Sequence, residues 1–430
     1  MATLKTPTNL RELQRALYLR AKKEPNFRAY AVYDKVYRGD VLAHAYALAK
    51  ANGGAPGPDR KTFEDIEEQG REALLNELHE ELKTKRYRPG PVRRVYIPKL
   101  NGGERPLGIP NIRDRVVQTA AKLLLEPLFE ADFDADSYGF RPKRDAHQAL
   151  DAVRQALEGG MCWVIDADVR AYFDMIPHDK LMKVVARRVV DGAMLALVKM
   201  FLEAPVLDER EGGGQKKNSR GTPQGGVISP LLANIYLDLL DKAFRKRVAR
   251  GELQGRIIRY ADDYVLLAHR RPDRELVWIK GIMERLGLEL HPEKTRVLDA
   301  RTGEFVFLGH THRLRSGRLY LDASKKALGR IREELRRKTR ATGQSEEQLT
   351  HELNPYIVGA RRYFYRIRRK TLSKLDRLVT QRIARWWARK HSQRRPAWSL
   401  VQDWGFHRKH GLEKWYFPWA LVPAPSRNAR

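Results

Sequence analysis

Cysteine is all but missing from this sequence: Cys162 is the sole example in 430 residues. One thiol excludes an intramolecular disulfide and any cysteine-rich zinc module, and it suits a reducing, intracellular setting. Long apolar runs are missing too; none approaches the ~20 residues that a membrane helix needs. The opening segment MATLKTPTNLRELQRALYLRAKK has no apolar core, so it does not read as a signal peptide. Acidic residues are scarce relative to basic ones, 53 Asp and Glu against 83 Lys and Arg, for a net charge of +30. A surplus of that size implies a polyanionic partner, nucleic acid more often than a membrane surface.

The charge is unevenly placed. Residues 323–430 hold 27 Lys and Arg but 8 Asp and Glu, together with Trp386, Trp387, Trp398, Trp404, Trp415 and Trp419, six of the eight tryptophans. Basic side chains meet phosphates and interleaved rings can stack on bases, although tryptophans also fill small helical cores. No fixed-period repeat or low-complexity tract occurs, and the tail PAPSRNAR is expected to be disordered.

Local patterning suggests a polar, mostly helical segment to about residue 90, then short strands from VRRVYIPK onward. RDRVVQTAAKLLLEPLFEADF reads as an amphipathic helix, MCWVIDADV as a buried strand, and VISPLLANIYLDLLDKAFRKRV as a helix following the glycine-rich EGGGQKKNSRGTPQGG. IIRYADDYVLLA reads strand–turn–strand, ELVWIKGIMERLGLEL as a helix, and EFVFLGHTHRL as a strand pair. From Ser324 the spacing of Leu328, Ile331 and Leu335 is helical, with Arg and Lys on the remaining faces.

The chemistry sits in the carboxylates. Asp262 and Asp263 are adjacent, so they aim together only where a hairpin turns. Two carboxylates among apolar neighbours are costly without a cation, and no Lys or Arg follows Arg259 within the flanks. A divalent metal would supply the charge. A polar turn is the plainer reading of two aspartates alone. VIDADVRAYFD changes the balance: Asp166 and Asp168 share a strand face, so one of them can meet Asp262 across adjacent strands, with Asp174 farther on. Magnesium prefers such oxygen ligands, and a pair of ions ~3.5–4 Å apart suits nucleotidyl transfer.

YADD, DADVRAYFD and GTPQGGVISPLLANIYL together resemble the reverse transcriptases encoded by bacterial group II introns. GAPGPDRKTF, RPLGIPNIRDRVVQ, LEPLFEADFDADSYGFRP, HPEKTRVL and FVFLGH continue that resemblance in order. LNPYIVGARRYFYR and LDRLVTQRIARWW are similar to the maturase region that follows, for coverage of about residues 30–420. The implied fold is α+β, a right-hand polymerase: fingers, a palm with a ferredoxin-like antiparallel sheet, a helical thumb, and a small helical C-terminal DNA-binding domain. The expected division is 1–90 for an N-terminal extension and the start of the fingers, 91–312 for fingers and palm, 313–375 for the thumb, and 376–430 for a basic nucleic-acid-binding domain.

The resemblance also implies roles. Asp168, Asp262 and Asp263 would be catalytic and hold two Mg2+ ions, with Mn2+ as a substitute, and the Val169 carbonyl would add a ligand. Lys99, Arg105, Phe173, Gln224 and Lys294 would bind the deoxynucleoside triphosphate, Phe173 by blocking a ribose 2′-hydroxyl. Phe307, Leu308 and Gly309 would form the primer grip, and Arg361, Arg362, Arg366, Arg385, Arg389 and Lys390 would meet nucleic acid. Implied partners are a group II intron RNA, an RNA template with DNA primer or target DNA, and deoxynucleoside triphosphates. No membrane is involved, a homodimer is allowed, and the location is the bacterial cytoplasm at the nucleoid. The chain resembles the compact class without an endonuclease domain. The function implied is RNA-directed DNA synthesis plus maturase activity in intron splicing and retrohoming. Alternatives are a free-standing enzyme of phage defence, spacer acquisition or DNA repair, a splicing cofactor without polymerase activity, and an RNA-dependent RNA polymerase.

Overall fold

The computed structural model describes residues 4–98, 103–208, 210, 215–216, 218–392 and 411–415. The chain divides into two units, Met1–Val153 with Ile165–Val297, and Arg154–Val164 with Leu298–Arg430.

The polar N-terminal segment is helical, as its pattern predicts: α1 (Thr8–Lys23), α2 (Tyr33–Val36), α3 (Gly39–Asn52), α4 (Phe63–Gln69) and α5 (Arg71–Lys83). Thr62 and Asp65 close a capping box on α4, satisfying two amide donors of its first turn. β1 (Val92–Pro98) and β2 (Glu104–Ile109) pair antiparallel, with Ile97 opposite Arg105. α6 (Ile112–Glu130) then runs through the core, and α1 and α3 pack against it. Val116, Val117, Ala120, Ala121, Leu124, Leu125 and Leu128 leave α6 little polar surface, which is why it is enclosed. Pro127 has no amide to donate to the Leu123 carbonyl one turn back; Gln14 of α1 donates instead, at 2.9 Å.

α7 (Ala146–Glu158) leads to β3 (Trp163–Asp168), followed by α8 (Tyr172–Met175), α9 (His178–Val185) and α10 (Gly192–Glu203). β4 (Val206–Asp208) joins β1 in parallel and β5 (Gln215–Lys216) pairs with β4, so the fingers sheet runs β2-β1-β4-β5. The chain continues through α11 (Ser229–Ala249), β6 (Arg256–Tyr260), β7 (Asp263–Ala268), α12 (Asp273–Leu286) and β8 (Arg296–Asp299). The second sheet runs β6-β7-β3-β8, with helices between β3 and β6 and between β7 and β8. That βαββαβ order is the ferredoxin-like palm expected of a right-hand polymerase.

In the second unit β9 (Phe305–Phe307), β10 (His310–Arg315) and β11 (Arg318–Ala323) form a sheet in the order β11-β10-β9. Three helices follow, α13 (Lys325–Lys338), α14 (Glu346–Tyr363) and α15 (Arg369–Lys390), the last running across the expected boundary at residue 375. Ser324 caps α13 and a Ser345–Gln348 box caps α14. Their apolar stripes meet through Ile331, Leu335, Leu349, Leu353, Ile383 and Trp386. Trp386 and Trp415 are fully buried there, and the Trp386 Nε1 donates to the Ala341 carbonyl at 2.7 Å. These two rings are core, not base-stacking surface; Trp398, Trp404 and Trp419 lie outside the described residues. Among the described residues no helix is long and apolar enough to cross a membrane.

Candidate active site

β6 and β7 pair with Tyr260 opposite Asp263, so the hairpin closes on two residues, Ala261 and Asp262. Ala261 has φ of 58°, the left-handed backbone that such a tight turn requires. Arg259 supports the turn from below. Its buried guanidinium donates to both Asp241 carboxylate oxygens, to the Asn234 side-chain oxygen at 3.0 Å, and to the Ala261 carbonyl at 2.9 Å. Burial pushes the Asp241 carboxyl up, and Arg259 opposes that shift.

The loop carrying SYGFRP backs the same hairpin. Tyr138 N–H donates to the Arg259 carbonyl, and Arg259 N–H donates to the Asp136 carbonyl. Gly139 lies so close that a Cβ there would overlap the Ala261 amide nitrogen. Neither Gly139 nor the Arg259–Asp241 pair is among the site residues expected from sequence, although all three fall within segments that carry the family resemblance or flank them.

Asp168 ends β3, the strand next to β7. Its backbone carbonyl accepts from His291 N–H at 2.7 Å, and its Oδ2 accepts from Lys294 Nζ at 2.7 Å. Val169 bridges to Leu290. Asp262 is pushed up by burial and by the Asp168 charge, while Arg105 and Arg259 act in the opposite sense. Asp168 and Asp262 therefore share one electrostatic site, with Asp263 beside them at the exposed start of β7. Asp166 is committed to Arg296, at 3.1 and 3.2 Å. No Lys or Arg lies in the flanks of the turn after Arg259; the cations beside the carboxylates, Lys294 and Arg105, come from distant segments of the chain.

Of the residues assigned to the incoming nucleotide, Lys294 and Arg105 act on this pair, while Phe173 and Gln224 lie together beside Asp174. Phe173 lies in α8, half-buried, edge-on to Tyr172 with ring centroids 5.5 Å apart. Thr222 N–H donates to the Phe173 carbonyl at 2.7 Å, which brings the PQGG loop alongside. Gln224 donates to Asp174 at 3.4 Å, and its carbonyl accepts from Gly108 N–H of β2 at 2.5 Å. Gly225, at φ of 110°, packs on the Gly108 carbonyl, so fingers and palm meet where only glycine fits. Lys99 lies outside the described residues.

In the second unit Phe307 is buried, and Leu308 and Gly309 form a two-residue turn with φ of 47° and 72°. Tyr363 donates to the Leu308 carbonyl and Ser324 N–H to the Gly309 carbonyl, both at 2.9 Å. Arg361 donates to Glu413 and to the Lys414 carbonyl, Arg389 to the Thr339 carbonyl, and Lys390 to the Gln344 carbonyl. Arg362 and Arg385 are exposed, and Arg366 lies over the Tyr365 ring at 4.9 Å.

Comparison with known proteins agrees with this geometry. The family described as reverse transcriptase (RNA-dependent DNA polymerase) matches residues 97–312, and the group II intron maturase-specific domain matches residues 328–404. The chain belongs to the group II intron reverse transcriptase/maturase family. Protein YkfC of Escherichia coli is 36% identical over 337 residues, 70% of this chain and 87% of that protein. The group II intron-encoded protein LtrA of Lactococcus lactis is 34% identical over 268 residues, 62% of this chain and 42% of LtrA. A solved telomerase structure from Candida albicans is 11% identical, covering 77% of this chain and 64% of that one at a TM-score of 0.44. This group II intron reverse transcriptase is thus an RNA-directed DNA polymerase with a maturase domain, a class that binds intron RNA and depends on divalent metal.

Proposed function

We propose that the protein copies its own group II intron RNA into DNA with deoxynucleoside triphosphates, aids splicing of that RNA, and so supports retrohoming at the nucleoid of a bacterial cell. The observation that carries this reading is the convergence of Asp168 and the Asp262 turn with Lys294 and Arg105. The maturase-domain match and the intron-encoded relatives favour it over a free-standing enzyme.

Among the described residues no group of three or more Asp, Glu, His or Cys side chains is close enough to hold a metal unaided. The donor set nevertheless fits magnesium. Asp168 and Asp262 are hard oxygen ligands whose mutual repulsion a cation would relieve, and the Lys294 ammonium on Asp168 stands in for that cation. Asp168, Asp262, Asp263 and the Val169 carbonyl would hold two ions, with substrate phosphate completing their coordination. When bound, the metal would activate the primer 3′-hydroxyl and neutralise charge on the departing pyrophosphate.

The protein's own groups would do the rest. Arg105 and Lys294 would bind triphosphate oxygens, one as a fork and the other as a point charge. The Arg259 network would fix the turn so that Asp262 stays aimed. Phe173, anchored through its carbonyl to the PQGG loop, would exclude a 2′-hydroxyl, and Gln224 would orient the nucleotide. Primer extension on an RNA template tests this. Extension is expected with deoxynucleotides and not ribonucleotides, and Phe173→Ala is expected to admit ribonucleotides. Unchanged sugar selectivity in that variant would remove the gate.

A further inference from the structure

The sheet of the second unit buries one face and leaves a basic one outside. His310, His312 and Leu314 of β10 point inward, so alternation turns Arg313 and Arg315 outward. Arg315 lies directly opposite Arg318 of β11, and Arg313 lies directly opposite Tyr320. Tyr320 and Val306 on the same face are 42% and 41% exposed.

That register is costly as it stands, because like charges directly opposed across a β-pair destabilise it. Some other arginines of the unit are matched, Arg301 to Asp299, Arg337 to Glu334 and Arg368 to Asp322. Among the described residues Arg313, Arg315 and Arg318 have no carboxylate partner. The turn does not relieve the crowding. Ser316 and Gly317, at φ of 47° and 71°, close a two-residue hairpin that keeps both guanidinium-bearing strands paired to the tip. An exposed ring flanked by uncompensated arginines is the arrangement that a single-stranded polyanion with flat bases neutralises.

We propose that this outer face of β10 and β11 binds an unpaired stretch of RNA. Arg313, Arg315 and Arg318 take phosphate oxygens through their planar forks, and Tyr320 stacks on an unstacked base. The site rests on the nucleic-acid reading above and adds to it a surface remote in sequence from the catalytic aspartates.

The test uses the full chain, a fluorescent oligouridylate and anisotropy over a series of salt concentrations. Arg315→Glu/Arg318→Glu is expected to weaken binding at least tenfold. The slope of log affinity against log salt should fall by about 0.7 for each phosphate that the variant no longer neutralises. Tyr320→Ala, which leaves the charge unchanged, is expected to weaken binding by about fivefold or more. Arg187→Glu/Arg270→Glu, exposed charges of the first unit, controls for net charge and should retain affinity. Wild-type affinity in the hairpin variants, or an equal loss in the control, overturns the proposal. A wild-type protein that binds no nucleic acid counts instead against the function proposed above.

Discussion

The guanidinium of Arg259 is fully buried and connects Asp241 on α11, Asn234 and the carbonyl of Ala261 in the β6–β7 turn. Removing one member of a buried ion pair leaves the other uncompensated. Arg259→Met is therefore expected to destabilise the first unit by about 3–5 kcal/mol. The double variant Arg259→Met/Asp241→Leu should recover much of that stability while primer extension stays low, because the Ala261 carbonyl no longer has its donor. Urea unfolding alongside extension separates the two effects; recovered activity in the double variant would show that the turn needs no such support.

Helices and strands with one strong periodicity were readable in the sequence: α6, β3, α11, the β6–β7 hairpin and α12 all lie where their patterns predict. Asp168 and Asp262 were placed in adjacent strands by alternation and motif. Lys294 and Arg105 are assigned to the triphosphate only through the family resemblance; their action on Asp168 and Asp262 arises from tertiary folding, which no local spacing reports. The burial of Trp386 was equally hidden, since a basic helix can turn a ring either way, and Trp415 lies beyond the last helix, where no periodicity reports burial. His312 shows what such a core entails. It is fully buried, stacked on Phe305 at 4.9 Å, and burial lowers its pKa to about 3. An unfolded chain takes up a proton below the ordinary pKa of about 6.5, which the folded unit refuses until about pH 3. Stability of the second unit should therefore fall as the pH drops through that window, by up to about 1.4 kcal/mol per pH unit. His312→Phe should flatten the dependence in a pH series of thermal melts; an unaltered slope would assign it elsewhere.

Across the protein, the proposed function gives the charge of +30 and the acidic centre at Asp168 and Asp262 separate tasks. On the function proposed, the basic surface would hold a polyanion while the aspartates would act at the primer end. A substitution at Asp262 should therefore abolish chemistry without releasing the nucleic acid, which a loss of fold would not do. RNA-templated primer extension by Asp262→Asn, made beside primer–template affinity on the same preparation, puts this division to the test. The expected result is no DNA product at unchanged affinity. DNA synthesis at the wild-type rate would show that Asp262 is not part of the catalytic centre.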